Sequence, residues 1–253
     1  MPSLYKLKSN ACKVKQTGKE KREGLHRSAV SVIIPAYNEE KTIGDVISNT
    51  AEIMDGLAVP YEIIVVNDGS TDKTGLVASM YKATVLTNDV NRGKGYSLRR
   101  ALKIAQGSII VTIDSDGEHK PKEIPDLIEP LYNGTDIVSG SRFMGSQSKV
   151  TTKLNVMGNM LFNTAIMTLT GQRVTDSQTG FRAIKKDVLD KLNLESDGYE
   201  IETEITVKGL RNGYVLMEKP ISCERRKYSI SKLKVLSDGA KILRTIIRSN
   251  FQQ

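Results

Sequence analysis

The sequence predicts an α/β fold, a mostly parallel sheet flanked by helices in a single domain. Apolar runs of strand length alternate along residues 29–140 with segments whose apolar residues recur at helical spacing. The apolar runs are continuous, which is typical of parallel strands that are buried on both faces. In such a sheet the loops that follow the carboxyl ends of the strands meet at one edge, and functional residues are expected there.

The first half of the chain supplies five of the predicted strands. Pro35 should end the first strand. Asn38 should cap the next helix, whose first turn would contain the acidic residues Glu39 and Glu40. Asp72 is expected to cap a second helix in the same way. The predicted strands are residues 30–34, 61–66, 83–87, 108–113 and 136–139, and further helices are predicted at 95–106 and 122–132.

The pattern changes after about residue 140, where a polar loop containing glycine and serine begins and runs to residue 153. Helices are predicted at 154–169, 186–192 and 231–248, a loop at 170–182 and a strand at 213–221.

Charge divides the chain into three parts. Residues 1–28 and 222–253 each carry eight Lys or Arg against two acidic residues, which leaves a net charge of −4 for residues 29–221 out of the total of +8. We expect a basic flexible arm at 1–28, the folded domain at 29–221 and a basic amphipathic segment at 222–253. Basic ends suit nucleic acid, an anionic membrane surface or a phosphorylated ligand, and solvated tails are the alternative. No stacking-aromatic motif supports a nucleic-acid partner.

The sequence also bears on the compartment. No run of 18 apolar residues predicts a transmembrane helix, and the N-terminus lacks the apolar stretch of a secretory signal. Cys12 and Cys223 have no metal-ligand spacing and read as free thiols of a reducing compartment. We therefore expect a cytoplasmic protein whose membrane contact is peripheral.

Three acidic residues follow the apolar run 109–111 at alternate positions: Asp114, Asp116 and Glu118. Such a cluster after a buried strand suits a hard divalent cation such as Mg²⁺ or Mn²⁺, which prefers oxygen ligands. The alternative is that Asp116 or Glu118 stabilises the start of the helix near Pro121.

Four motifs occur in order after successive strands or before a helix. They are PAYNEE at 35–40, NDGSTD at 67–72, NRGKG at 91–95 and DSD at 114–116. With these motifs, residues 30–236 resemble the family 2 inverting glycosyltransferases, which have the Rossmann-like GT-A fold. The resemblance implies that residues 29–221 are a GT-A catalytic domain.

The resemblance also implies a site for a nucleotide-sugar donor. In that family the Asp-x-Asp motif binds a divalent metal that bridges the donor diphosphate. It implies Asp116 as the main metal ligand and catalytic residue and Asp114 near the ribose and the metal. Glu118 departs from the family pattern, in which many relatives have Gln, and it could add a metal ligand or contact the metal's water. Asp68 would accept the imide N–H of the base, and Lys94 would neutralise a phosphate. The pocket for base and ribose would be lined by Pro35, Tyr37 and Glu39.

Motifs in the second half resemble the polyprenyl-phosphate branch, the dolichyl-phosphate mannose or glucose synthases. They are SGSR at 139–142, DSQTGFRA at 176–183, YEIETE at 199–204, and RR at 225–226 with SKL at 231–233. The acceptor in that branch is a lipid phosphate, which carries about −1.5 to −2 charge near pH 7 and needs cations to hold it. The candidate cations are Arg142, Arg225, Arg226 and Lys232.

Two alternatives stay open at the acceptor side. Asp176 is a catalytic candidate, and it would be the general base if the acceptor were a carbohydrate hydroxyl. Asp176 and Glu204 could instead orient sugar hydroxyls or form structural ion pairs.

Gln178 and the YEIETE motif are more similar to the subgroup that uses UDP-glucose or UDP-N-acetylglucosamine, with GDP-mannose as a further possibility.

The helix predicted at 231–248 combines an apolar stripe with basic residues. Leu233, Leu236, Ala240, Leu243 and Ile247 recur at spacings of three and four. Such a helix could lie on an anionic membrane surface, or it could pack against the catalytic domain or a second subunit.

Overall fold

The structure is a computed structural model that describes residues 28–144, 153–224 and 235–251. Nearly all of the predicted basic arm lies outside the described residues. The same holds for Cys12 and for three of the four candidate acceptor cations, namely Arg225, Arg226 and Lys232.

Within the described ranges the chain forms seven strands and eight α-helices. The strands are β1 (Val30–Ala36), β2 (Tyr61–Asn67), β3 (Thr84–Thr87), β4 (Ile109–Thr112), β5 (Ile137–Ser141), β6 (Arg182–Lys185) and β7 (Leu216–Pro220). The helices are α1 (Ile43–Gly56), α2 (Thr74–Ser79), α3 (Lys94–Leu102), α4 (Ile124–Ile128), α5 (Lys153–Thr170), α6 (Lys186–Lys191), α7 (Ile201–Arg211) and α8 (Val235–Phe251). Short 3₁₀ turns at Pro121–Glu123 and Glu129–Asn133 flank α4.

The strands form one sheet in the order β3-β2-β1-β4-β6-β5-β7. All neighbours are parallel except β6, which runs antiparallel to both β4 and β5. The predicted α/β class is confirmed. Because β2, β1 and β4 are adjacent and parallel, the loops that follow their carboxyl ends lie side by side at one edge.

Both faces of the sheet are buried, which explains the continuous apolar runs. Ile34 and Val111 face the side covered by α1, whereas their neighbours Ile33 and Ile110 face the side covered by α3 and α7. Successive side chains of a strand point to opposite faces, so each must be apolar when helices cover both. Burying one such side chain is worth roughly 1.5–3 kcal/mol.

The first strand runs past the proline that was expected to end it. Pro35 lies inside β1, opposite Val66 of β2. The Ile33 carbonyl accepts a hydrogen bond from the Ile113 amide, so the backbone polar groups of Ile33 face β4. The backbone nitrogen of Pro35, two residues later in the strand, faces the same side. The pairing with β4 ends at Ile33, and the missing N–H of Pro35 therefore interrupts no ladder.

The predicted helix caps had different outcomes. Asn38 does not cap α1, which begins at Ile43; instead Asn38 has a φ of 53° and its Oδ1 accepts from the Thr71 amide at 2.8 Å. Asp72 lies at the start of α2 as predicted, and its Oδ1 accepts from the Thr74 amide at 2.9 Å. Asn38 thus connects the loop after β1 to the loop after β2.

The C-terminal helix α8 packs on the body of the domain through a different face from the one predicted. Ile242 and Ile246 are buried against Ile166 of α5 and Val207 of α7. The predicted stripe points outward, because Leu243 and Ile247 have exposed fractions of 36% and 57%. The helix therefore carries apolar residues on two faces: one packs on the domain, and a membrane contact of the exposed stripe stays a prediction. None of the described helices is both long and apolar enough to cross a bilayer.

Candidate active site

The carboxylate of Asp68 holds the glycine-rich turn that follows β3. Asp68 is buried at the carboxyl end of β2. One oxygen accepts from Asn88 Nδ2 at 2.6 Å and from the Arg92 amide at 3.0 Å, and the other accepts from the Gly93 amide at 2.8 Å. The loop after β2 is therefore joined to the NRGKG turn. The predicted contact between Asp68 and a base stays a prediction.

The PAYNEE segment lies beside this turn, at the carboxyl end of β1. Glu39 is buried, its amide donates to Thr74 Oγ1 at 2.8 Å, and its Oε2 accepts from Thr42 Oγ1 at 3.2 Å. Pro35 and Tyr37 are half-buried. The three residues predicted to line a base and ribose pocket therefore lie at the edge where β1 and β2 end together.

Lys94 links the NRGKG turn to the acidic loop. It is the first residue of α3, and its Nζ lies 2.5 Å from Asp114 Oδ1 and 2.9 Å from Glu202 Oε1. Burial lowers the pKa of Lys94, but the charges of Asp114 and Glu202 outweigh it and raise the pKa above its usual value. Lys94 is thus a charged side chain that is only 12% exposed, and it contacts Asp114 of the acidic loop.

The turn around Lys94 depends on close backbone packing. Gly93 has a φ of 100° and packs with Gly95 against the carbonyls of Asp197 and Ser196, where any side chain would collide. Glu204 holds that segment, since its carboxylate accepts from the Ser196 amide at 2.8 Å and pairs with Lys208 at 2.7 Å. Glu204 therefore forms the structural ion pair that the sequence left open.

The acidic loop brings two carboxylates to the edge of the sheet. Asp114 is partly exposed, and Asp116 is buried with its Oδ1 accepting from the Glu118 amide at 3.0 Å. The part of the chain that the structure describes assembles no group of three or more acidic, His or Cys side chains that could ligate a metal. Mg²⁺ is commonly bound by one or two carboxylates, with waters and substrate phosphates completing its shell. Asp114 and Asp116 fit that donor set, and Glu118 as a third ligand stays a prediction.

His119, next to the acidic loop, is buried, so of the structural and solvent-facing roles that its sequence allowed, the structure supports the structural one. Its ring stacks on Phe181 with centroids 5.2 Å apart, and its Nδ1 lies 3.7 Å from Asp114 Oδ2, beyond hydrogen-bond distance. The backbone of His119 bridges to Cys223, which places the acidic loop against the segment that leads to residue 225. Cys223 is a free thiol, as predicted, and burial raises its pKa to about 12.

Arg142 and Asp176 form a bidentate pair next to this loop. Arg142 Nε and one terminal nitrogen donate to the two oxygens of Asp176 at 2.7 and 2.9 Å. Asp176 is fully buried, whereas the Arg142 side chain keeps 24% of its surface exposed. Burial lowers the pKa of Arg142, but the hydrogen bonds and charge of Asp176 raise it above its usual value. The structure therefore brings together two predicted residues 34 positions apart.

Two further charged residues connect these groups. Arg182 of β6 is fully buried, donates to the carbonyls of Ser177 and Thr179 at 3.0 and 2.9 Å, and lies 3.4 Å from Glu202. Since Glu202 also pairs with Lys94, the acceptor-side turn at 176–180 and the donor-side turn share one buried carboxylate. The sequence signal was an arginine within the strand-like run FRAIK, which the predicted loop at 170–182 obscured.

The sequence is similar to a known protein family and to several known proteins. The family model described as glycosyl transferase family 2 matches residues 31–192. A dolichol-phosphate mannosyltransferase of Pyrococcus furiosus is 34% identical over 217 residues, which cover 81% of this chain and 59% of that protein. A dolichyl-phosphate hexose transferase of Haloferax volcanii is 30% identical over 220 residues, which cover 87% of this chain and 92% of that protein. An uncharacterized protein of Methanocaldococcus jannaschii is 34% identical over 230 residues, covering 88% and 93%.

A solved structure shows the same fold. Glucosyl-3-phosphoglycerate synthase from Mycobacterium tuberculosis, crystallised with Mn²⁺, uridine diphosphate and phosphoglyceric acid, superposes with a TM-score of 0.71. It is 24% identical, and the match covers 93% of this chain and 83% of that chain. The predicted GT-A fold is confirmed by this likeness. The match to the family model and the identity to these relatives show that the chain belongs to glycosyl transferase family 2 and is a glycosyltransferase.

Proposed function

We propose that this enzyme transfers a sugar from a nucleotide-sugar donor to dolichyl or another polyprenyl phosphate, with inversion at the anomeric carbon and with a divalent metal. The observation that carries the proposal is the bidentate pair of Arg142 and the buried Asp176. It fixes a charged guanidinium beside the acidic loop, in an orientation suited to an anionic acceptor. Two of the relatives are named as transferases acting with dolichol or dolichyl phosphate, which supports this choice.

The chemistry of the acceptor explains why no general base is required. A phosphate monoester carries about −1.5 to −2 charge near pH 7 and is already a nucleophile. A sugar hydroxyl would need a carboxylate to remove its proton, and Asp176 was the candidate. Both oxygens of Asp176 accept hydrogen bonds from Arg142, so the carboxylate is engaged by the guanidinium rather than directed at an acceptor hydroxyl. This geometry disfavours the alternative of a carbohydrate hydroxyl acceptor.

The donor side supplies positive charge for a diphosphate. Lys94 lies at the start of α3, where the helix dipole also favours an anion. When bound at Asp116 and Asp114, a Mg²⁺ or Mn²⁺ ion would offset the charge that develops on the leaving diphosphate. We assign Asp68, Pro35, Tyr37 and Glu39 to the base and ribose, because they lie together at the ends of β1 and β2.

The transfer is a single displacement. An oxygen of the lipid phosphate forms a bond to the anomeric carbon, while the bond from that carbon to the nucleoside diphosphate breaks and its electron pair leaves with the diphosphate. Arg142 holds the attacking phosphate in line with the breaking bond, on the face opposite the leaving group. Arg225, Arg226 and Lys232 are proposed as further acceptor cations from their sequence alone, as they lie outside the described residues.

The identity of the sugar rests on Gln178 and the YEIETE motif. Gln178 Nε2 donates to Thr203 Oγ1 of that motif at 2.7 Å and to Ser177 Oγ at 2.9 Å. The two segments that favoured UDP-glucose or UDP-N-acetylglucosamine are therefore in contact with each other next to Asp176. We propose a UDP-sugar as donor, with GDP-mannose as the second choice.

A peripheral contact with the cytoplasmic face of a membrane would bring the enzyme to such an acceptor. Helices α5 and α8 pack together, and each exposes apolar side chains, with exposed fractions of 67% for Met157 and 63% for Met160 on α5 and 57% for Ile247 on α8. Lys241 and Arg244 are exposed on the same helix as Ile247. Exposed apolar residues next to cations suit an anionic lipid surface, where each Lys or Arg adds about 1 kcal/mol.

The proposal can be tested with purified enzyme, Mg²⁺ or Mn²⁺, a panel of nucleotide sugars and two acceptor classes. Polyprenyl phosphate in detergent should yield a glycolipid, and soluble carbohydrates should yield no product. Asp116→Ala should abolish transfer without a change in the circular dichroism spectrum, whereas Asp126→Ala, which removes an exposed carboxylate in α4, should leave it intact. Full activity of Asp116→Ala, or transfer to soluble carbohydrate alone, would contradict the proposal.

A further inference from the structure

The turn that carries Asp176 is held by a carboxylate from the far edge of the sheet. Glu218 lies in β7 and is half-buried. Its carboxylate accepts from the Thr175 amide at 2.8 Å and from the Asp176 amide at 2.8 Å. Two successive backbone N–H groups thus converge on one side chain, which fixes the position of the turn.

The fixed turn determines where the Arg142 guanidinium points. The Asp176 side chain leaves the backbone next to the amide that Glu218 holds, and it binds Arg142 Nε at 2.7 Å. The Arg142 amide also donates to Asp176, at 3.1 Å. In the register of β5 and β7, Glu218 lies opposite Ser139, and Ser139 precedes Arg142 by three residues. A path of hydrogen bonds therefore runs from β7 through the turn to the arginine.

Two neutral side chains of α5 also hold this turn, in addition to the Arg182 contacts described above. Asn159 and Asn163 of α5 donate to the Thr175 carbonyl at 2.9 and 2.7 Å. Glu218 differs because it is charged, and hydrogen bonds to a charged acceptor are roughly twice as strong as neutral ones. Arg182 lies near both Glu218 and Asp176, and its charge offsets their mutual repulsion.

We propose that Glu218 is a positioning residue for the acceptor phosphate. It acts through the backbone at residues 175–176 and through Asp176, and it sets the orientation in which Arg142 meets the acceptor. The inference rests on the proposed function, in which Arg142 binds the lipid phosphate. It assigns Glu218 no contact with the donor, whose proposed ligands lie at the ends of β1, β2 and β4.

Kinetics with separately varied donor and acceptor test the role. Glu218→Met keeps the length of the side chain but accepts no hydrogen bond, and Glu218→Gln keeps one acceptor oxygen. We expect Glu218→Met to raise the KM for polyprenyl phosphate at least tenfold with the donor KM within twofold, and Glu218→Gln to fall between it and the wild type. The control Glu129→Gln removes an exposed carboxylate that pairs with Lys219, the neighbour of Glu218, at 3.8 Å. It should behave as the wild type.

A second measurement does not depend on the acceptor. In ¹H–¹⁵N spectra the Nε–H signal of Arg142, assigned by its loss in Arg142→Lys, should move toward that of an unpaired arginine in Glu218→Met. An unchanged signal, or an unchanged acceptor KM in an enzyme that does use polyprenyl phosphate, overturns the role of Glu218. If the wild type makes no glycolipid, the proposed function fails instead, and the Nε–H signal still decides whether Glu218 positions Arg142. Should Glu218→Met not fold, the intermediate shift and KM expected of Glu218→Gln decide the question.

Discussion

Replacing Gly180 with alanine adds one methyl group at the point where the donor-side and acceptor-side turns meet. A Cβ at this position would lie 2.7 and 2.8 Å from the two carboxylate oxygens of Asp114 and closer still to Lys94 Nζ. The backbone has little freedom to retreat, because the Gly180 carbonyl accepts from Thr112 Oγ1 of β4 at 2.7 Å. The side chains of Asp114 and Lys94 must move instead.

The size of the movement sets the expected effect. Ordinary contacts begin at 3.4 Å, so the two Asp114 oxygens must retreat by about 0.6–0.7 Å, the difference between 3.4 Å and their distances of 2.8 and 2.7 Å, and Lys94 Nζ must retreat further. Metal–ligand distances are held to within roughly 0.2 Å in well-formed sites. A misplacement approaching 1 Å costs about 10²-fold in rate. We therefore expect kcat/KM to fall roughly 10- to 100-fold, while overpacking lowers the free energy of unfolding by about 1–3 kcal/mol.

The assay combines donor titration by calorimetry in the presence of Mn²⁺, transfer kinetics and urea unfolding. Gly56→Ala is the matched control, since nothing lies within 4 Å of its added Cβ at the end of α1. That control should leave activity unchanged and should stabilise the helix by about 0.5–1 kcal/mol. A Gly180→Ala enzyme that binds donor and turns over within twofold of the wild type would refute the placement of Asp114 and Lys94 in the donor site.

Three further substitutions test separate parts of the site. Asp68→Asn leaves either the Arg92 or the Gly93 amide without its acceptor, at a cost of about 1–3 kcal/mol. The affinity for the donor, measured by calorimetry, should therefore fall at least fivefold. An unchanged affinity would contradict the role of this turn in donor binding. Arg142→Lys keeps the charge but loses the bidentate geometry, so the KM for polyprenyl phosphate should rise about tenfold while the KM for the donor stays constant. A rise in the donor KM alone would contradict the assignment of Arg142 to the acceptor. Glu204→Gln leaves Lys208 buried without its charge partner and should lower the free energy of unfolding at pH 7 by about 3 kcal/mol. Burial raises the pKa of Glu204, but the hydrogen bond from Lys208 outweighs it and the net pKa is lowered. The stabilisation is therefore present above the unfolded pKa of about 4.3 and lost as pH falls through the lower folded value. In urea unfolding, the free energies of unfolding of the wild type and Glu204→Gln should converge at acid pH. A difference that persists at acid pH would show that the charge of Glu204 is not the source of the stabilisation.

The sequence was sufficient for the parts of the fold that depend on local patterns. Continuous apolar runs indicated strands covered on both faces, and turn motifs after them indicated the functional edge. The antiparallel strand β6 and helix α7 were missed because buried charged residues interrupt their apolar patterns. Arg182 lies within β6, and Glu202 and Glu204 lie in the first turn of α7. Arg182 and Glu202 are buried beside charged partners distant in sequence, which no local pattern reports.

The same limit applies to the site. Asp114, Asp116, Lys94 and Arg142 were identified from motifs, and the structure places Asp114 beside Lys94. The sequence could not assign Asp176 to Arg142 rather than to a base role, since that choice depends on a contact across 34 positions. It also could not choose between the two apolar faces of α8, because the choice is made by the surfaces of α5 and α7.

The most direct test of the central claim is the mass of the products formed from a UDP-sugar and polyprenyl phosphate whose phosphate oxygens carry ¹⁸O. The account predicts a lipid that bears one phosphate and one sugar and retains all of the label, together with unlabelled uridine diphosphate. Release of uridine monophosphate with a lipid diphosphate, or no glycolipid from any nucleotide sugar, would contradict it.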